Sequence, residues 1–128
     1  AAAAAAAAEE SRRVADATID VGRLARQLQS GSIAQRVGAA RALAEAGADA
    51  AEILAYALET DAIIAVRQAA VASLKRMGRG ARAALPALNR YMRTQPQVDP
   101  TGGAEVMNLE IMESDMRRDI RDIVSSLG

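Results

Sequence analysis

The stretch IAVRQAAVASLKRMG, from Ile64 to Gly78, decides the fold of this 128-residue chain because its pattern occurs twice more. RVGAARALAEAG begins at Arg36, which is 31 residues before Arg67, and RRDIRDIVSSLG begins at Arg117, which is 50 residues after it. Each copy has an arginine, a small or aliphatic residue three positions on, an aliphatic residue seven on and a glycine eleven on. These steps keep the positions on one helix face until a glycine ends the helix. The sequence therefore predicts a repeated helical unit.

The residue types favour helices and exclude much catalytic chemistry. Hydrophobic residues make up 51% of the chain, and two tyrosines are its only aromatic residues. Small side chains suit closely packed helices, and no stretch alternates as a strand would, so we predict an all-α fold. The chain has no Cys and no His, so disulfides, thiol nucleophiles and the usual acid–base and metal-binding side chain are excluded. We expect no enzyme activity, no catalytic residue, no metal site and no cofactor.

The net charge of zero conceals three blocks of different sign. Residues 9–61 carry six basic and nine acidic side chains, residues 62–98 carry seven basic and no acidic ones, and residues 99–128 carry three basic and seven acidic ones. The middle block is a basic band between acidic flanks. Two interpretations stay open: the basic residues complement helix termini and face solvent, or they dock an acidic partner.

Helical spacing and helix breakers divide the chain into four parts. Residues 1–9 are eight alanines and a glutamate, and we expect a helix whose true side chains are not identified, so that an N-terminal signal would be hidden. Residues 10–94 carry helices joined by short connections, which is typical of antiparallel hairpins. Two prolines and two glycines make 95–103 a linker. Residues 104–128 form one long amphipathic helix with a partial third copy, which brings the total to about six helices, none of them a membrane span.

The apolar spacing also predicts which side chains are buried. Ile33 at the start of the second helix and Leu109 in the last helix both fall on the predicted inner face. Met107, Met112 and Met116 form either ordinary core or an adaptable docking stripe, and we favour core. The run Glu113-Ser114-Asp115 offers a cap for a break within the last helix.

The unit V-R-x-A-A-x-x-x-L-x-x-x-G, seen best from Val66 to Gly78 and followed by ALPAL at 84–88, resembles the HEAT-like repeats. The likeness is to the short form named after phycobilisome lyases. It implies a short α-solenoid of antiparallel helix hairpins whose second helices line the concave side. It departs from the pattern at Gln35, where an aliphatic residue is usual, and in the insertion before the third copy.

This resemblance implies one set of structural positions and one set of partner-binding positions. The recurring arginines bond turn carbonyls or an acidic residue such as Asp61, and the glycines end the first helices, so both are expected to be structural. These structural repeat positions are Arg36, Arg67, Arg117, Gly47 and Gly78. The partner-binding residues expected on the second helices are Tyr56, Arg82, Arg90 and Arg93.

Three functions are compatible with these features. The favoured one is a non-catalytic protein–protein interaction or scaffold subunit of a larger, multi-subunit assembly. The alternatives are binding of nucleic acid or an acidic partner through the basic band 67–93, and a lyase-like enzyme accessory. Nucleic acid is not expected as a partner because stacking aromatic residues are missing and the overall charge is neutral. The sequence assigns no compartment, and the cytoplasm is the default expectation.

Overall fold

The computed structural model describes residues 20–94 and 104–127, with side chains of the second range described from residue 108. The predicted alanine-rich segment 1–9, the predicted linker 95–103 and the side chain of Met107 lie outside these ranges. Six α-helical segments are present: α1 (Val21–Ser30), α2 (Ile33–Ala42), α3 (Ala51–Thr60), α4 (Ile64–Met77), α5 (Leu85–Arg93) and α6 (Ala104–Leu127). No strand occurs in the described ranges, so the predicted all-α class is confirmed.

Two 3₁₀ segments, Leu43–Ala50 and Gly78–Ala84, join α2 to α3 and α4 to α5. They follow their neighbours without a gap, so the described ranges contain four continuous helical stretches, two of them kinked at a glycine, where the sequence suggested about six helices. The direction of the chain changes at glycines within these stretches. Gly47 has φ 76° and Gly78 has φ 58°, a backbone region that L-residues with side chains rarely adopt.

Local sequence explains where other helices begin. Ser32 and Gln35 form a capping box at the start of α2, in which each side chain accepts a hydrogen bond from the other residue's backbone N–H. The Asp20 side chain accepts from the N–H of Arg23 and caps α1. Pro86 lies in the first turn of α5, where its missing N–H has no helical partner to lose.

Helix α4 occupies the middle of the packing. It contacts α3 in a hairpin, α2 on one side and α6 on the other, while α1 packs on α2 and α5 contacts α3 and α6. Aliphatic side chains from several of these helices are completely buried, among them Leu43, Leu54, Leu74, Leu88 and Ile120. The buried Ser73 hydroxyl on α4 donates a 2.6 Å hydrogen bond to the carbonyl of Ala40 on α2.

Two side chains predicted to face the core do not. Ile33 is 49% exposed and Leu109 is 42% exposed, because no other described helix covers either side chain near the start of its helix. The Met112 carbonyl of α6, three residues after Leu109, accepts a 3.5 Å hydrogen bond from the side-chain amide of Gln68 on α4. Met116 is 2% exposed, so this position belongs to the core. The alternative of a break at residues 113–115 is wrong, since α6 is continuous.

Among the helices described, none combines the length and the apolar character needed to cross a membrane.

Candidate functional site

Three repeat arginines and two carboxylates form a continuous set of contacts, the charged row (Arg36, Asp61, Arg67, Glu113 and Arg117). Arg36 Nη1 donates to both carboxylate oxygens of Asp61 at 2.9 Å. Arg67 Nη1 donates to the Asp61 carbonyl at 2.9 Å, and its Nη2 lies 3.8 Å from Glu113 Oε2. Arg117 Nε donates to Glu113 Oε1 at 2.8 Å. Each acidic residue therefore lies between two arginines from successive copies.

The charged row is largely shielded from water. The carboxylate side chains of Asp61 and Glu113 are 6% and 8% exposed, whereas the guanidinium side chains are between 14% and 21% exposed. Desolvation offsets much of the attraction in such pairs, so an intact pair adds little net stability, but removal of one partner is costly. The Nε groups of Arg36 and Arg67 are buried and have no hydrogen-bond partner in the described ranges.

Tyr91 connects the charged row to α5. Its hydroxyl donates to the Glu113 carboxylate, with oxygen–oxygen distances of 2.8 and 3.0 Å. The Arg117 guanidinium carbon lies 5.0 Å from the centre of the Tyr91 ring, within the range of a cation–π contact. Burial of the phenol, together with its hydrogen bond to Glu113, raises the pKa of Tyr91 to about 12. Tyr91 therefore remains a neutral hydrogen-bond donor at physiological pH.

Two clefts flank the turn between α3 and α4 and share Thr60, Asp61 and Ala62 as a common wall. One, of about 330 Å³, is lined by charged-row residues and Tyr91. The other, of about 390 Å³, is lined by Leu28, Ile53 and Tyr56 among others. The polar groups in the first cleft are mostly bonded to one another, and no group of three or more potential metal ligands occurs among the described residues. This arrangement is suited to holding helices together and contains no activated nucleophile.

The basic band is mostly neutralised by the acidic flanks. Lys75 Nζ lies 2.9 Å from Asp119 and 3.5 Å from Asp122, and the hydrogen bond to Asp119 raises the pKa of Lys75. Arg76 and Glu45 approach to 2.8 Å.

Arg90 and Glu59 approach to 2.7 Å, and this hydrogen bond raises the pKa of Arg90. Together with Arg67, four of the seven basic residues of the band therefore have carboxylate partners within the protein.

The four predicted partner-binding residues have different surroundings in the structure. Tyr56 is 57% exposed and lines the 390 Å³ cleft, whose lining includes none of the three arginines. Arg90 is engaged with Glu59. Arg82 and Arg93 are exposed, and the one hydrogen bond of the Arg93 side chain is to the Asn89 carbonyl of its own helix, at 3.3 Å. Arg82 and Arg93 therefore stay candidates for contact, separate from Tyr56.

Glu113 and Tyr91 are the important residues that sequence reasoning missed. The sequence prediction includes Glu113 only as part of a helix cap, although two features mark it. It lies between Met112 and Met116 on the apolar face, and it precedes Arg117 by four residues, a spacing at which helical side chains meet.

Comparisons with known proteins give no relationship from which a function can be transferred. No family model, no curated protein and no solved structure matches the chain. The likeness to HEAT-like repeats is therefore carried by the repeated sequence pattern alone and stays a prediction.

Proposed function

We propose that the chain is a short α-solenoid that acts as a non-catalytic interaction or scaffold subunit of a larger assembly. One observation carries the proposal: two ion pairs, Glu45–Arg76 and Glu59–Arg90, each join residues exactly one 31-residue period apart. A residue and its counterpart in the next copy are thus lateral neighbours, as side-by-side stacking of repeats requires. The first pair links the 3₁₀ segment that follows α2 to α4, and the second pair links α3 to α5.

A stack of this kind is suited to binding because it places equivalent surfaces of neighbouring copies beside one another. The packing of α4 against both α2 and α6 supports such a row of first helices. Polar groups in the charged row are used to hold the copies together, and the exposed side chains of α3 and α5 remain available to a partner. A scaffold role needs no chemistry beyond these surfaces.

The proposal is tested by purifying the full chain from its native source through a C-terminal tag, with the tag alone as the control. We expect one or more proteins to co-elute with the chain in gel filtration at a fixed stoichiometry. A complex reconstituted from the purified components should have the same mass as the complex from the native source. Recovery of the chain alone as a monomer, under conditions in which a known complex from the same extract survives, would contradict a scaffold role.

A further inference from the structure

A buried face of α3 has a counterpart one 31-residue period later, on the 3₁₀ segment Gly78–Ala84 and α5. On α3 this face is apolar and closely covered: Ala51 and Leu58 are 0% exposed and Ala55 is 5% exposed. Glu59, the residue after Leu58, pairs with Arg90 of α5, so this end of α3 lies beside α5. The residues 31 positions after Ala51, Ala55 and Leu58 are Arg82, Pro86 and Asn89, all of which are exposed.

The corresponding face of α5 and of the 3₁₀ segment before it is therefore exposed where the α3 face is buried. We define the α5 outward stripe as Arg79, Arg82, Pro86, Asn89 and Arg93. The last four have helical spacing, and Arg79 precedes Arg82 by three positions in a 3₁₀ segment, which places the two on the same side. Another helix packed here as α5 packs on α3 would bury guanidinium and amide groups without partners, at a high cost. An apolar helix, whether from a second copy or a further repeat, does not fit the stripe.

The three arginines of the stripe belong to the basic band. Each of Arg79, Arg82 and Arg93 is exposed and has no carboxylate within ion-pair distance in the part of the chain that the structure describes. The stretch 62–98 contains no acidic residue. The positive charge of the band that is unpaired among the described residues thus extends along the 3₁₀ segment Gly78–Ala84 and α5, over roughly 20–25 Å.

We infer that the α5 outward stripe docks an acidic polypeptide segment. This inference rests on the proposed scaffold function and gives the chemical class of its partner. Complementary charge attracts such a segment and selects against basic or apolar competitors. An extended segment of about eight residues spans the stripe at roughly 3.3 Å per residue. Nucleic acid fits less well, because the stripe offers no aromatic side chain on which bases stack.

The test compares two triple variants with the same change in charge. R79Q/R82Q/R93Q removes the stripe's positive charge, and R23Q/R26Q/R41Q removes three exposed arginines of α1 and α2 that likewise lack an ion pair among the described residues. Binding of a fluorescein-labelled peptide of about eight glutamates is measured by anisotropy as a function of salt, with a glutamine peptide and a short DNA duplex as further probes. Circular dichroism establishes that both variants are folded.

We expect the stripe variant to bind the glutamate peptide roughly tenfold more weakly than the unchanged chain, since three exposed ion pairs are lost. The control variant should bind almost unchanged, and added salt should weaken binding in both. Equal losses in the two variants, or no binding of the glutamate peptide by the unchanged chain, would overturn the inference. Tighter, stripe-dependent binding of the duplex would overturn it in favour of nucleic acid.

Co-purification of the native partner distinguishes a failure of this inference from a failure of the scaffold proposal. If a partner co-purifies with the chain but is retained in full by R79Q/R82Q/R93Q, the scaffold role stands and the docking site is wrong. If no partner co-purifies at all, the scaffold role itself fails.

Discussion

The substitution Glu113→Gln tests the charged row most sharply, because it keeps the shape of the side chain and removes its charge. Glu113 accepts hydrogen bonds from Tyr91 and Arg117 and lies 3.8 Å from Arg67. The glutamine leaves two largely buried guanidinium groups without a counter-charge. Breaking a buried pair from one side costs about 3–5 kcal/mol. Since the two arginine side chains retain 20% and 14% exposure, water compensates in part and we expect about 3 kcal/mol.

A loss of this size is a large fraction of the ~5–15 kcal/mol that stabilises an ordinary domain. It would lower the melting temperature by roughly 10 °C for a chain of this length. The assay is urea unfolding followed by helical circular dichroism, with Glu110→Gln as the control, because Glu110 is an exposed residue of the same helix. The control should lie within about 0.5 kcal/mol of the unchanged protein.

A double-mutant cycle with Arg117→Met separates the ion pair from other effects. The two substitutions should couple by about 1–3 kcal/mol, since they remove partners of one contact. If Glu113→Gln is no more destabilising than Glu110→Gln, or if the cycle shows no coupling, the charged row does not hold α6 in place.

Three further perturbations address other parts of the structure. In a Tyr56→Phe background, the phenolate absorbance of Tyr91 should appear with a midpoint near pH 12. Because the folded state binds this proton more tightly than the unfolded state, the stability that the neutral phenol contributes is complete below pH 10 and decreases between pH 10 and 12. A midpoint near pH 10 would contradict the burial of Tyr91. Gly78→Ala should destabilise the fold by about 1–2 kcal/mol because φ is 58° at that position. Gly38→Ala, inside α2 with open space around the added methyl group, should stabilise the fold by about 0.5–1 kcal/mol. Thermal unfolding in which both substitutions change the stability in the same direction would refute this prediction. Ser73→Ala should cost about 1 kcal/mol in urea unfolding through loss of its buried 2.6 Å hydrogen bond, and a neutral result would count against the contact between α4 and α2.

The helical content of the protein could be predicted from local sequence, because the relevant signals lie within one turn of each position. Gly78 ends α4 and Pro86 begins α5 through backbone constraints that do not depend on distant residues. The spacing of Arg36 and Arg67 likewise indicated which segments are equivalent.

The charged row could be predicted only in part, because its partners are distant in sequence. Asp61 was named as a partner for the repeat arginines, and it contacts both Arg36 and Arg67. Glu113 contacts Arg67 across 46 residues that include the predicted linker, and no local periodicity encodes that approach. The exposure of Ile33 and Leu109 depends in the same way on where the neighbouring helices end.

The charge blocks show a similar limit. The sequence indicated a basic band between acidic flanks, but it did not indicate that the two are used largely to pair with each other. Only the placement of Arg76 beside Glu45, and of Lys75 beside Asp119, distinguishes internal pairing from a free basic surface. What remains for a partner is a smaller set of arginines than the composition suggested.

The central claim, that successive copies lie side by side in a row, is tested most directly by distances between nitroxide labels measured by pulsed electron paramagnetic resonance. The chain has no native cysteine, so the pairs E45C/R76C, K75C/D119C and E45C/D119C can be labelled cleanly. Because α4 lies between α2 and α6, the first two distances should be short and the third longer by roughly one helix spacing, about 10 Å. A third distance equal to or shorter than the other two would contradict the row and the account that depends on it.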